Sequence, residues 1–141
     1  MDNPLRFRDD EPADEPAVTL DAFLGQSNAL SVRVEPSDDV RALLPFLDRL
    51  RLIEISFPAF RDGRGYSSAR ILREAGYTGE LKAVGDVLVD QLVPMRRSGF
   101  DSFAPDAPID LAVARASLAR QENVYQKAAD GRTPIWALRH G

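Results

Sequence analysis

The chain reads as an α/β domain built from four consecutive βα units with a parallel sheet. Two observations predict this. Segments of apolar residues alternating at period two recur along the chain, at ALSVRVEP (29–36), RLIEISFP (51–58) and ELKAVG (80–85). Each is followed by a segment whose apolar residues fall at helical spacing. Strands alternating with helices imply a parallel sheet joined by right-handed crossovers. Four such units amount to half of an eight-stranded βα barrel.

The elements follow in order. Residues 1–17, MDNPLRFRDDEPADEPA, mix charges and prolines without apolar periodicity and predict a flexible acidic tail. Residues 18–141 then form a single domain. Val18 to Leu24 predicts a short helix capped by Thr19 and ending near Gly25. In the first strand Leu30, Val32 and Val34 alternate with Ser31, Arg33 and Glu35. After Ser37, DDVRALLPFLDRL places Val40, Leu43, Leu44 and Leu47 on one helical stripe, which Pro45 should kink. In the second strand Ile53, Ile55 and Phe57 alternate with Glu54 and Ser56. A helix is expected from about Ser67 to Ala75, with Gly76 as its left-handed cap. The third strand, Glu80–Gly85, leads to Asp86 in an N-cap position before VLVDQLVPMRRSG, a helix closed by Gly99. FDSFAP supplies a fourth, less regular strand. Leu111, Ala114, Leu118 and Tyr125 mark a last helix from Ile109 to about Ala129, and Trp136 in the tail is expected to pack on the body.

Composition narrows the chemistry. A chain of 141 residues with 44% hydrophobic and 28% charged residues suits one globular domain. The net charge of −4 argues against a general nucleic-acid binder. No apolar run approaches the roughly 18 residues of a membrane span. The acidic, Pro-containing start is unlike a secretory signal, so a cytoplasmic protein is expected. With no Cys there is no disulfide, thiolate nucleophile or iron–sulfur ligand. The one His, His140, makes a His-based metal site or a Ser-His-Asp triad improbable. No cofactor or metal of its own is predicted. Electrons for any redox step must come from a cofactor or a partner.

Strands buried on both faces should be continuously apolar. Here the first three alternate, leaving Arg33, Glu54 and Lys82 on one face. If the strands are neighbours in chain order, the charges run plus, minus, plus. That face is either a cross-strand salt-bridge ladder, or a polar pocket or dimer seam. Exposed edges of a four-unit half-barrel also allow a homodimer that closes an eight-stranded barrel.

Sites in parallel α/β sheets form at the carboxyl ends of the strands. The loop after the second strand offers Arg61, Asp62, Gly63, Arg64, Gly65, Tyr66 and Ser67. That after the third offers Gly85 and Asp86, and that after the fourth Asp101, Ser102 and Asp106. Gly63 and Gly65 allow close backbone approach or positive φ. Ser67 is placed to cap the following helix, whose start favours anions. Arg61, Arg64 and Arg70 add forked donors for sulfate, phosphate or carboxylate. The same residues also make an ordinary turn, with Asp62 bonding its own backbone. Asp86 and Asp90, four apart on one helical face with Gln91 beside them, are candidates for acid–base work or for holding a divalent ion; the alternative is a helix cap and an arginine partner. The spacing matches neither a P-loop nor a dinucleotide fingerprint. Ser67 and Ser68 lack a histidine base for nucleophilic chemistry.

FPAFRDGRGYSSARILREAGYTGELKAVGDVLVDQL followed by RRSGFDSF resembles the bacterial family called domain of unknown function 934. Its pattern runs F-P-x-F-x-D-G-R-x-Y-S-x-A-R-x-L-R, then G-E-L-[RK]-A-x-G-D-V-L-x-D-Q-L, then R-x-G-F-D. The resemblance covers Phe57 to Phe103, about a third of the chain. It marks Asp62, Gly63, Arg64, Tyr66, Ser67, Arg70, Lys82, Gly85, Asp86, Asp90 and Gln91. Pro94, inside the third helix, departs from it. Members are commonly labelled oxidoreductases involved in sulfite reduction, which implies a sulfur-assimilation context.

Two functions follow as expectations. One is an accessory protein of sulfite reduction, docking on the reductase or on itself through the polar face and the Arg61–Arg70 surface. The other is a protein or enzyme that binds a small oxyanion or nucleotide-sulfate, with Arg61, Arg64 and Arg70 holding the anion and Asp86 or Asp90 moving the proton.

Overall fold

A computed structural model describes residues 5–25, 28–59, 61 and 63–129. The sheet has five strands, all parallel and in chain order: β1 (Val18–Thr19), β2 (Ser31–Val34), β3 (Leu52–Phe57), β4 (Glu80–Gly85) and β5 (Ser102–Pro105). The α/β architecture with alternating βα units is the expected one. The added strand is β1, inside the segment read as helix. Thr19 closes this strand and also begins α1 (Leu20–Gly25), where its hydroxyl accepts from the Ala22 N–H at 3.1 Å.

The other helices are α2 (Arg64–Glu74), α3 (Leu92–Ser98) and α4 (Leu111–Ala129). Sequential strand order and right-handed crossovers together place every connecting helix on the same side of the sheet. The core agrees. Val32, Ile53, Ile55, Phe57, Leu81 and Phe103 from the strands cluster with Phe23, Ala69, Leu72, Leu92, Met95 and Ala114 from the helices.

The segment after β2 is a 3-10 helix, Val40–Phe46, and not an α-helix with a kink. Asp39 caps it by accepting from the Arg41 N–H at 3.0 Å, and Pro45 lacks the N–H that would continue an α-helical ladder. Three residues per turn align Val40 and Leu43 on the core side and turn Leu44 out to 37% exposure. The stretch read as one helix from Asp86 divides into a 3-10 turn, Val89–Gln91, and α3. Pro94 falls in the first turn of α3, where a missing N–H costs nothing. Gly76 and Gly99 take left-handed conformations at φ +99° and +115°, as their positions after α2 and α3 predicted.

Part of the acidic segment 1–17 is tied to the body. Arg6 forms an antiparallel bridge with Ser102. The Phe7 N–H donates to the Asp101 carbonyl at 2.7 Å, and the Phe103 N–H to that of Leu5 at 3.1 Å. Leu5 is buried, and the Phe7 ring meets Phe103 edge-on. Residues 5–7 thus cover the outer edge of β5. The chain must then reach β1 at the opposite edge. Midway, Arg51, just before β3, donates to the Glu11 carbonyl at 3.0 Å. The polar-face row at the amino ends of the strands, Ser31, Leu52 and Glu80, is buried. Trp136 and His140 lie outside the described residues, as does the side chain of Tyr125. Among the described residues, no helix is long and apolar enough to cross a membrane.

Candidate functional site

Phe57 ends β3 with its ring fully buried and organises the carboxyl end of the sheet. Gly65, in the first turn of α2, packs on that ring so closely that a β-carbon there would collide with it. Tyr66 meets the ring at 5.7 Å and Phe100 at 5.9 Å between centroids. Gly65 is therefore a helix–strand contact, not an opening for a ligand. Neither Gly63 nor Gly65 has positive φ.

Backbone bonds join three loops here. The Phe57 carbonyl accepts from the Asp86 N–H at 2.7 Å. The Gly85 carbonyl accepts from Val87 at 2.9 Å and Asp106 at 2.8 Å. Gly85 itself sits at φ +106°. The ends of β3, β4 and β5 are thereby held as one surface, as a carboxyl-end site requires.

On that frame, α2 starts at Arg64 with Gly63 as its N-cap, a residue with no side chain to cap the first turn. Ser67 is therefore not the cap: it lies within the helix, which starts three residues earlier than expected, and its N–H donates to the Gly63 carbonyl at 3.3 Å. Arg61, Arg64 and Ser67 are exposed around this start, and Arg70 is exposed one turn further on. Asp62 lies outside the described residues.

Tyr66 is half-buried, and burial raises its phenol above the ordinary value while a hydrogen bond from the Gln91 side chain opposes the shift. The Gln91 Oε1 accepts from the Leu88 N–H at 3.0 Å. With that oxygen engaged, the amide nitrogen is the group left to reach Tyr66. Gln91 so links the loop after β4 to the first turn of α2. Asp86 and Asp90 do not share a helical face. Asp86 is half-buried in the loop before the 3-10 turn, whereas Asp90 is exposed within it. The physical reason is the engaged Asp86 backbone, which finishes the sheet and starts no helix.

Lys82 is not part of this group. It projects from the middle of β4 on the opposite face, in a row that runs Arg33, Glu54, Lys82, Ser102 across the sheet. Within that row Arg33 donates to Glu54 Oε1 from Nε at 3.0 Å and Nη2 at 2.9 Å. The ladder reading holds for this pair and stops there.

Sequence reasoning missed the densest charged cluster, at the other end of the sheet. Arg73 Nη2 donates to Asp101 Oδ2 at 2.6 Å, and Arg8 reaches the same oxygen at 3.0 Å. Arg73 also bonds the carbonyls of Tyr77, Gly79 and Gly99. The buried Glu80 carboxylate accepts from Arg6 at 3.0 Å and from the Ser102 hydroxyl at 2.6 Å. Arg8 and Arg6 hold the Asp10 carboxyl below its ordinary range. The one legible signal was an arginine in the last turn of a helix that ends in Ala-Gly.

Chemically, the carboxyl-end surface offers guanidinium and phenol donors beside two carboxylates. Among the described residues, no three His, Cys, Asp or Glu side chains gather to hold a metal. A shallow apolar cleft of about 270 Å³ runs beside β5, lined by Leu5, Phe103, Pro105, Pro108, Ile109 and Leu111, and involves none of the candidate residues.

A family model described as "Bacterial protein of unknown function (DUF934)" matches residues 31–136. No curated protein and no solved structure matches the chain.

Proposed function

This chain belongs to the bacterial DUF934 family, and from that premise we propose that it is a cytoplasmic accessory protein of sulfite reduction. It acts by docking its carboxyl-end surface on a protein of the reductase system. The observation that carries this reading is the division of labour in the family-like motif. Its buried members, Phe57 and Gly65, build the surface, while Arg61, Arg64, Ser67, Arg70 and Asp90 face outward. Leu88, 41% exposed, stands on the adjoining loop. An apolar anchor among arginines is the composition of a protein interface more than of a closed active site. The sulfite context comes from the family resemblance.

Binding of the purified chain to sulfite reductase holoenzyme, followed by calorimetry, tests the proposal. Wild type should bind, and Arg64→Glu should abolish binding while its melting profile stays native. Absence of wild-type binding, or full binding by the variant, overturns it.

A second reading rests on the start of α2, whose N-cap Gly63 has no side chain, beside Arg61 and Arg64. Free N–H groups at a helix start attract anions. On this reading the surface binds a small oxyanion or nucleotide-sulfate. A thermal-shift screen with sulfite, sulfate, phosphate and adenylyl sulfate separates the two. A ligand-dependent rise that is lost in Arg64→Ala favours the second reading.

A further inference from the structure

We propose that the outer edge of β5 is a strand-accepting groove for an extended segment of a partner protein, of the pattern apolar-x-apolar-Arg-aromatic-Arg. Residues 5–10 of this chain occupy the groove in cis until such a segment displaces them. The carboxyl-end surface takes no part, so this proposal stands or falls independently of the docking function.

The cis segment shows how the groove reads a ligand. A strand adds to a sheet edge through backbone bonds, and its alternate side chains are read on the two faces. Here the Phe7 N–H donates to the Asp101 carbonyl and the Phe103 N–H to that of Leu5. Alternation sends Leu5 and Phe7 to the helix side. Leu5 is buried there, and the Arg96 guanidinium lies over the Phe7 ring at 5.3 Å. Arg6 goes to the other face, where its Nε donates to Glu80 Oε1 at 3.0 Å. Arg8 Nη1 donates to Asp101 Oδ2 at 3.0 Å.

The body holds both acceptors in place. Glu80 Oε2 accepts from the Ser102 hydroxyl at 2.6 Å. Asp101 Oδ2 accepts from Arg73 Nη2 at 2.6 Å and from the Leu81 N–H at 3.2 Å. The two carboxylates therefore keep their positions when the segment lifts, which is the preorganisation that binding requires. The segment itself is a short anchor on an exposed tether: of residues 9–16, all but Ala13 are exposed. Edge segments of this kind open at lower cost than the sheet beneath them.

The groove is longer than the anchor. Pairing is antiparallel, with Arg6 opposite Ser102. A segment continued past Leu5 runs beside Ala104 and Pro105 into the apolar cleft of about 270 Å³, whose further walls are Pro108, Ile109 and Leu111. Leu111 is 41% exposed. In this chain the residue two before Leu5 is Asn3. A partner with an apolar residue at that place gains burial that asparagine does not supply, and so competes with the tethered segment.

Fluorescence anisotropy of a labelled peptide, Leu-Pro-Leu-Arg-Phe-Arg-Asp-Asp, tests this on the full chain. The double variant Arg6→Ala/Phe7→Ala weakens the cis segment and leaves the groove intact. The peptide should bind it at least about tenfold tighter than wild type, whose tethered segment competes at an effective concentration on the order of millimolar. Replacing the first leucine of the peptide by asparagine should weaken binding about tenfold. Replacing both arginines by glutamine should abolish it. A natively folded double variant that does not bind overturns the proposal, as does equal binding of the asparagine or the glutamine peptide. Wild type gives a second readout through amide hydrogen exchange. The Phe7 and Phe103 amides, bonded across the groove, should exchange about 100-fold faster than the Asp101 amide, bonded to Leu81 within the body. Equal protection means that the segment does not lift, and overturns the proposal even where the double variant fails to fold. A wild type that sediments as a dimer, and becomes monomeric in the double variant, puts the segment of a second copy in the groove and overturns the partner reading.

Discussion

A β-carbon placed on Gly85 would lie 2.5 Å from the carbonyl oxygen of Phe57, the same oxygen that accepts the Asp86 N–H. Gly85 also sits at φ +106°, a conformation side chains rarely adopt. Strand β4 thus ends where backbone meets backbone, and no side-chain movement can relieve the contact. Gly85→Ala is expected to destabilise the domain by about 2–4 kcal/mol, read from the urea midpoint. It should also loosen the loops that carry Tyr66 and Gln91. A loss within about 0.5 kcal/mol would show that the chain end relaxes freely.

Arg73 is the residue whose removal should cost most among the exposed-looking positions of α2. Its guanidinium bonds three carbonyls and the Asp101 carboxylate, and it lies over the Tyr77 ring at 5.5 Å. Arg73→Ala leaves those acceptors unpaired at a partly buried junction. A loss of about 2–4 kcal/mol is expected. Arg73→Lys should recover little of it, since one ammonium cannot replace the planar fork. Full recovery by lysine in chemical denaturation would mean that charge alone matters.

Tyr77 predicts the alkaline limit of stability. Burial pushes its phenol above the ordinary value, and its hydroxyl donates to the Glu80 carbonyl at a long 3.4 Å. The folded form therefore favours the protonated phenol more than the unfolded chain does. Its contribution is complete below the unfolded value of about 10 and falls as pH rises past it. Wild type should lose stability above roughly pH 10. Tyr77→Phe should cost about 1 kcal/mol or less near neutrality and flatten that alkaline decline. Parallel pH curves for the two proteins would contradict the assignment.

Legibility differed by element for physical reasons. The strands from β2 to β4 were visible because alternation at period two is written locally in Val32, Val34, Ile53, Ile55 and Phe57. Gly76 and Gly99 were visible because a left-handed cap needs glycine in that place. β1 was not, since two residues, Val18 and Thr19, carry no period. The early start of α2 was missed because Gly63 caps it without a side chain, whereas Ser67 had the better intrinsic capping chemistry. The contacts of Arg6 and Arg8 were hidden because their partners, Glu80, Asp101 and Ser102, lie more than 70 residues away in sequence.

For the candidate site the same division applies. Arg61, Arg64, Tyr66, Gly85 and Gln91 were chosen from strand ends and motif, and the fold brings their loops together. Gly65 was assigned to a ligand, although its neighbour is the Phe57 ring. Lys82 was grouped with residues on the other side of the sheet, because strand parity within β4 sends its side chain to the opposite face.

The sequence by itself determined the α/β class, the parallel sheet, its alternating polar face and the end at which loops gather, whereas the chain-order arrangement of the strands came from the structure. Features of the first kind follow from local periodicity and from the handedness of crossovers, which hold for any chain of this pattern. Only the tertiary structure decided which glycine serves packing, which arginine serves the fold, and that the amino-terminal segment covers the β5 edge. Those outcomes depend on pairings between residues far apart in the chain, and local preference carries no information about them.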